Sequence, residues 1–87
     1  MIKLKAHNKP ISEFTEIDKY LLIPKKLWDD FTPGETRLIV SGKKVSLRIY
    51  DVPCECVPQK HQHRIIDLRT IWQDFKIEEN QELSVDK

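Results

Sequence analysis

The feature that most constrains this chain is an internal repeat. Leu21-Leu22-Ile23-Pro24-Lys25-Lys26-Leu27-Trp28-Asp29-Asp30-Phe31 lies over Ile65-Ile66-Asp67-Leu68-Arg69-Thr70-Ile71-Trp72-Gln73-Asp74-Phe75 at a constant spacing of 44, and both tryptophans fall in W-x-D-F. One residue is then inserted, and the match resumes with Leu38 against Leu83 and Val40 against Val85. A chain of 87 residues that says the same thing twice has room for two small units and no more. A multi-domain enzyme is therefore not expected.

Each unit has the same grammar. A β-rich run (Tyr20 to Ile23; Arg64 to Leu68) precedes a short stretch with apolar residues at i, i+1 and i+4: Leu27, Trp28, Phe31 and Ile71, Trp72, Phe75. That spacing predicts one or two helical turns with a single buried face, so the aromatic residues read as core before they read as stacking platforms for bases. Pro24 suits a helix start, and Thr32-Pro33-Gly34 stops the first helix. Second strands follow at Thr36 to Ser41 and Gln81 to Val85. The first unit returns through Ser41-Gly42-Lys43-Lys44 into the alternating strand Val45, Leu47, Ile49, whereas the second lacks a return strand. Ile2-Lys3-Leu4-Lys5-Ala6 is an unattached alternating strand able to supply it, with residues 8–18 as a polar connector bringing Phe14 and Ile17 inward.

The pieces predict a mostly β, small closed barrel of two pseudo-symmetric β-α-β halves, since closure removes exposed edges. The expected organisation is one domain over residues 1–87, with repeat one at 18–50, repeat two at 63–87 and an N-terminal strand at 1–7 completing the barrel. No apolar run approaches the roughly 20 residues that cross a bilayer, and MIKLKAHNKP lacks the features of a signal peptide, so the expected setting is cytoplasmic, with no membrane partner.

The run Leu22-Ile23-Pro24-Lys25-Lys26-Leu27, then Phe31, Pro33-Gly34-Glu35 and the hydrophobic hairpin from Arg37 to Ile49, resembles the AbrB/MazE-like swapped-hairpin domain of bacterial and archaeal regulators. The second copy, from Arg64 to Arg69 with Phe75-Lys76-Ile77 and Glu82-Leu83-Ser84-Val85, is a degenerate version. The double-psi barrel, also built of two halves, is a related resemblance. Such domains pair as dimers, so two copies in one chain imply a monomeric pseudo-dimer or a homodimer of it. The resemblance implies a DNA-binding transcriptional regulator or antitoxin-like module, not an enzyme, with basic side chains around the Ile-Pro strand facing duplex DNA.

Fifteen Lys and Arg against 14 Asp and Glu leave net charge silent on nucleic acid. The candidate phosphate contacts are Lys25, Lys26, Lys43, Lys44, Arg64 and Arg69. On a two-fold barrel Lys25, Lys26 and Arg69, at the starts of equivalent helices, are expected to form one patch. The competing reading is a solvated face on a protein-interaction module or accessory subunit whose partner is another protein. Asp29, Asp30, Asp67 and Asp74 come without a nucleophile or phosphate-cradling loop, which leaves nothing for an enzymatic reading to stand on.

Cys54, Cys56, His61 and His63 form the sharpest local cluster. If residues 57–60 make a four-residue hairpin loop, Cys56 faces His61 and Cys54 faces His63, all on one face, and two thiolates with two imidazoles make a tetrahedral donor set that suits zinc. The other reading is two half-buried cysteines and two exposed histidines, and both stay open at this point.

Overall fold

The structure is a computed structural model and describes residues 2–10, 16–54 and 61–87. Its strands are β1 (Ile2–Asn8), β2 (Lys19–Ile23), β3 (Gly34–Val40), β4 (Lys43–Cys54), β5 (His61–Asp67) and β6 (Glu82–Asp86). They close into a barrel in the order β1-β2-β5-β4-β3-β6, and every neighbouring pair is antiparallel. The missing return strand is supplied as expected: β1 runs against β6 through Ile2↔Val85 and Leu4↔Leu83.

Alternation decides which face goes inward. Leu4 and Ala6, Leu21 and Ile23, Leu38 and Val40, Leu47 and Ile49, and Leu83 and Val85 are buried, while their neighbours along β1, β3, β4 and β6 are exposed or half-buried. β5 breaks the pattern because Ile65 and Ile66 are both fully buried. Ile66 joins the barrel core, whereas Ile65 sits in a second cluster on the outer face with Ile17, Tyr20 and Val52, and Leu22 and Tyr50 pack against it. Ile17 does turn inward, but onto this outer cluster. Phe14 lies outside the described residues.

Of the two expected helices, one is present as a 3-10 helix, Lys25–Asp30. The Leu27 N–H donates to the Pro24 carbonyl at 2.9 Å and the Phe31 N–H to Trp28 at 3.2 Å, both three residues back. Six residues are too few to repay α-helix nucleation, so the tighter winding is set by Leu27 and Trp28 packing onto the barrel. The second stretch, residues 69–76, is a run of turns in which the Phe75 N–H reaches Ile71 and the Ile77 N–H reaches Trp72.

Because β2 and β5 are antiparallel, the segments that follow them leave from opposite ends of the barrel. The 3-10 helix closes one end with Leu27, Trp28 and Phe31, and residues 69–76 close the other with Ile71, Trp72 and Phe75. The Ser41-Gly42 turn belongs to the second end. There Val40 faces Lys43, so the hairpin loop is two residues long, with φ of 53° at Ser41 and 82° at Gly42, the positive pair of a type I′ turn. Asn tolerates the first position better than Ser, so Ser41→Asn is expected to raise stability by about 0.5 kcal/mol in a urea titration. A loss of stability would show that the side chain at position 41, and not its φ preference, decides this turn.

Candidate functional site

The six basic candidates do not form one surface. Lys25 and Lys26 lie on the 3-10 helix at the first end, with Arg64 beside it, while Lys43, Lys44 and Arg69 lie at the second. The expected single patch of Lys25, Lys26 and Arg69 is corrected by the antiparallel pairing of β2 with β5, which sends the two copies of the helix segment to opposite ends.

Nor are all six side chains available. Arg64 grips Asp51 with two bonds, Nε to Oδ1 at 2.8 Å and Nη2 to Oδ2 at 3.2 Å. Its Nη1 donates to the Trp28 carbonyl at 3.0 Å and to that of Phe31 at 3.4 Å, and the guanidinium carbon stands 4.5 Å from the centre of the Trp28 ring. Asp51 faces Arg64 across β4 and β5, so the strand register itself sets the pair. Arg69 closes onto Asp67 in the same bidentate way, Nη2 to Oδ2 at 2.9 Å, and the Asp67 carboxylate also accepts the Arg69 backbone N–H at 3.0 Å. Hydrogen bonding to Asp51 and to Asp67 pushes the Arg64 and Arg69 guanidiniums, respectively, further up from their already high values. Lys43 lies over the Phe75 ring at 5.2 Å. Lys25, Lys26 and Lys44 are exposed and have no ion-pair partner among the described residues.

The Cys/His cluster has a different register from the expected one. Cys54 faces His61, and His63 faces Val52, a shift of two residues, because the β4–β5 ladder runs as far as Cys54↔His61. Cys56 and the expected loop at 57–60 lie outside the described residues. Among the described residues no group of three or more metal-ligating side chains comes together.

Composition and charge lists do not reveal what the first end does contain. Where β2 turns at Pro24 into the 3-10 helix, an open groove of about 700 Å³ is lined by Leu22, Ile23, Pro24, Lys25, Trp28, Gln62 and His63. Trp28, expected as plain core, is half-buried: the indole N–H donates to the Ile23 carbonyl at 3.0 Å, and the ring lines this groove. Leu22 is half-buried as well and Pro24 is exposed, so the groove carries apolar surface that the chain's own described residues leave partly uncovered. The W-x-D-F repeat marks Trp28 but does not separate it from the buried Trp72. Only the Pro24 corner, where the strand ends and the chain turns across the barrel end, hints at the concavity.

Other aromatic contacts add a pattern. Lys19 lies 6.0 Å from Trp72, and Lys87 lies 5.6 Å from Phe31. With Arg64 on Trp28 and Lys43 on Phe75, each of the four end-closing aromatic rings carries a cation. Comparison with protein-family models, with curated proteins and with solved structures gave no match, so the functional reading stands on the groove and on the disposition of the cations.

Proposed function

We propose that this protein is a binding module that recognises another protein through the groove at the β2–helix corner. The observation that carries the reading is the groove itself: about 700 Å³ with Leu22, Ile23, Pro24 and Trp28 supplying its apolar lining, a size and chemistry that suit the docking of a few side chains. The dispersal of the cations favours this reading over duplex DNA. Arg64 and Arg69 are already neutralised by carboxylates, and the remaining lysines divide between the two ends, with Asp29 and Asp30 beside Lys25 and Lys26 on the same short helix. Phosphate binding gains from clustered, unpaired cations, and this arrangement offers few.

We further read the barrel as two pseudo-equivalent halves, as the repeat leads one to expect. In support, the strand order maps onto itself when β2 exchanges with β5, β3 with β6 and β4 with β1. Leu21 faces Ile66 and Val40 faces Val85, each pair 45 residues apart, as residues astride a two-fold axis would be; in β2 and β5 the equivalence thus runs one residue off the spacing of 44 that aligns the tryptophans. The ring contacts cross over in the same sense: Lys19 covers Trp72 while Arg64 covers Trp28, and Lys43 covers Phe75 while Lys87 covers Phe31.

Selection of linear peptides from a phage-displayed library against the immobilised protein tests the binding reading. Enriched peptides are expected to bind the wild type and to lose binding to a folded Leu22→Glu variant. Titration with mixed duplex DNA at low and moderate salt is the counter-test, with no saturable binding expected. Saturable binding whose salt slope drops by about two units on joint Lys25→Ala and Lys26→Ala replacement would overturn the proposal in favour of a DNA-binding role.

A further inference from the structure

The groove's lining restricts what its partner can be, granted the protein-recognition reading on which this inference rests. Its apolar part is contributed by Leu22, Ile23, Pro24 and Trp28, and the charged group that lines it is Lys25. Lys26 follows directly, exposed and likewise without an ion-pair partner among the described residues. Asp51 is held by Arg64, while Asp29, which follows Trp28 in the chain, and Asp30 do not line the groove. The Trp28 ring is polarised from within, with the Arg64 guanidinium 4.5 Å from its centre and hydrogen-bonded to the carbonyl of the same residue. A ring that already holds one cation has less attraction to offer a second, so a lysine, an arginine or a methylated amine is a poor ligand for it. Gln62 adds an amide with both a donor and an acceptor, the pair an extended main chain needs.

We infer that the groove takes an extended peptide segment that seats an apolar side chain against Pro24 and Trp28 and sets a carboxylate beside it at Lys25. The apolar contact supplies most of the affinity, and the carboxylate supplies orientation and discrimination against basic segments.

The test uses two fluorescently labelled peptides with a Leu-Pro-Leu centre, one flanked by Glu and the other by Lys, titrated against the whole chain and followed by anisotropy. The Glu peptide is expected to bind about tenfold more tightly than the Lys peptide, with the preference weakening as salt is raised. Lys25→Glu is expected to abolish or invert the preference, and Lys44→Glu, at the opposite end, to leave it unchanged, both variants being checked for fold by circular dichroism. Equal binding of the two peptides, a preference for the Lys peptide, or a preference insensitive to Lys25→Glu would overturn the inference. If the Glu peptide fails while the displayed library yields Leu22-dependent binders lacking acidic residues, the assigned chemistry falls and the recognition module stands. If neither finds a ligand, both fall. A concentration-dependent dimer seen by sedimentation, competing with the Glu peptide and broken by Leu22→Glu, would make a second copy of the chain the occupant and overturn the inference as well.

Discussion

Trp72→Ala is expected to destabilise the protein by about 3–5 kcal/mol, and Trp28→Ala by only about 2 kcal/mol, although the two residues hold the same place in the repeat. Trp72 is 9% exposed and belongs to the barrel core with Leu68, Ile71 and Ile77, so its removal leaves a void that rigid strands cannot fill. Trp28 is half-buried, packs on the same core from the rim of the groove, and loses its lid contact, the indole bond to the Ile23 carbonyl and the Arg64 cation on its ring. Stabilities of small domains are on the order of 5–15 kcal/mol, so the first change consumes much of the total. Guanidinium denaturation followed by circular dichroism measures both. Equal costs would mean that the groove is closed in solution over Trp28, and the binding proposal would lose its floor.

The inequality shows where the sequence could be read and where it could not. Alternation in Ile2 to Ala6, Leu38 to Val40 and Val45 to Ile49 is a direct imprint of one buried face, so these strands and the need for β1 to complete the barrel were legible. The repeat is visible in the sequence too, but it does not say whether a two-fold axis between its copies would run along the barrel or across it. That difference decides whether Lys25 and Arg69 share a surface, and the antiparallel register of Leu21↔Ile66 separates them. Charges were legible as a list and illegible as pairs: nothing near Arg64 in the chain announces Asp51, 13 residues earlier, as its partner. The hairpin register differs from the expected one by two residues because Pro53, Pro58 and the Cys54-Glu55-Cys56 run offer competing places for the turn. Pro53 in fact lies within β4, which at that level has β5 on one side while β3 has already ended at Gly34↔Ile49. A residue without an N–H is tolerated on such an edge and discourages pairing with a stray strand.

The Arg64 pair leads to the second large expectation. Its side chain is 14% exposed and that of Asp51 28%, whereas the Arg69 side chain is 41% exposed over an Asp67 that is 12% exposed. Arg64→Ala removes a bidentate ion pair, the bonds to the Trp28 and Phe31 carbonyls and the cation on the Trp28 ring, and leaves Asp51 part-buried without its counter-ion. The expected cost is about 2–4 kcal/mol, against about 1 kcal/mol for Arg69→Ala, whose guanidinium is open to water and whose partner Asp67 keeps the backbone N–H of residue 69. Arg64→Lys keeps the charge but not the planar fork, so it should recover only part of the loss. A double-mutant cycle with Asp51→Ala isolates the pair term, expected at about 1 kcal/mol or more. Because the Arg64 side chain ties the 3-10 helix to the β4–β5 arm, Arg64→Ala should also red-shift Trp28 fluorescence before global unfolding, a local change that Arg69→Ala cannot produce. If Arg64→Ala instead costs no more than Arg69→Ala, the guanidinium is solvated rather than committed. Arg64 would then join Lys25 and Lys26 as a cation free for phosphate at this end of the barrel, and the case against duplex DNA would weaken where it is now strongest.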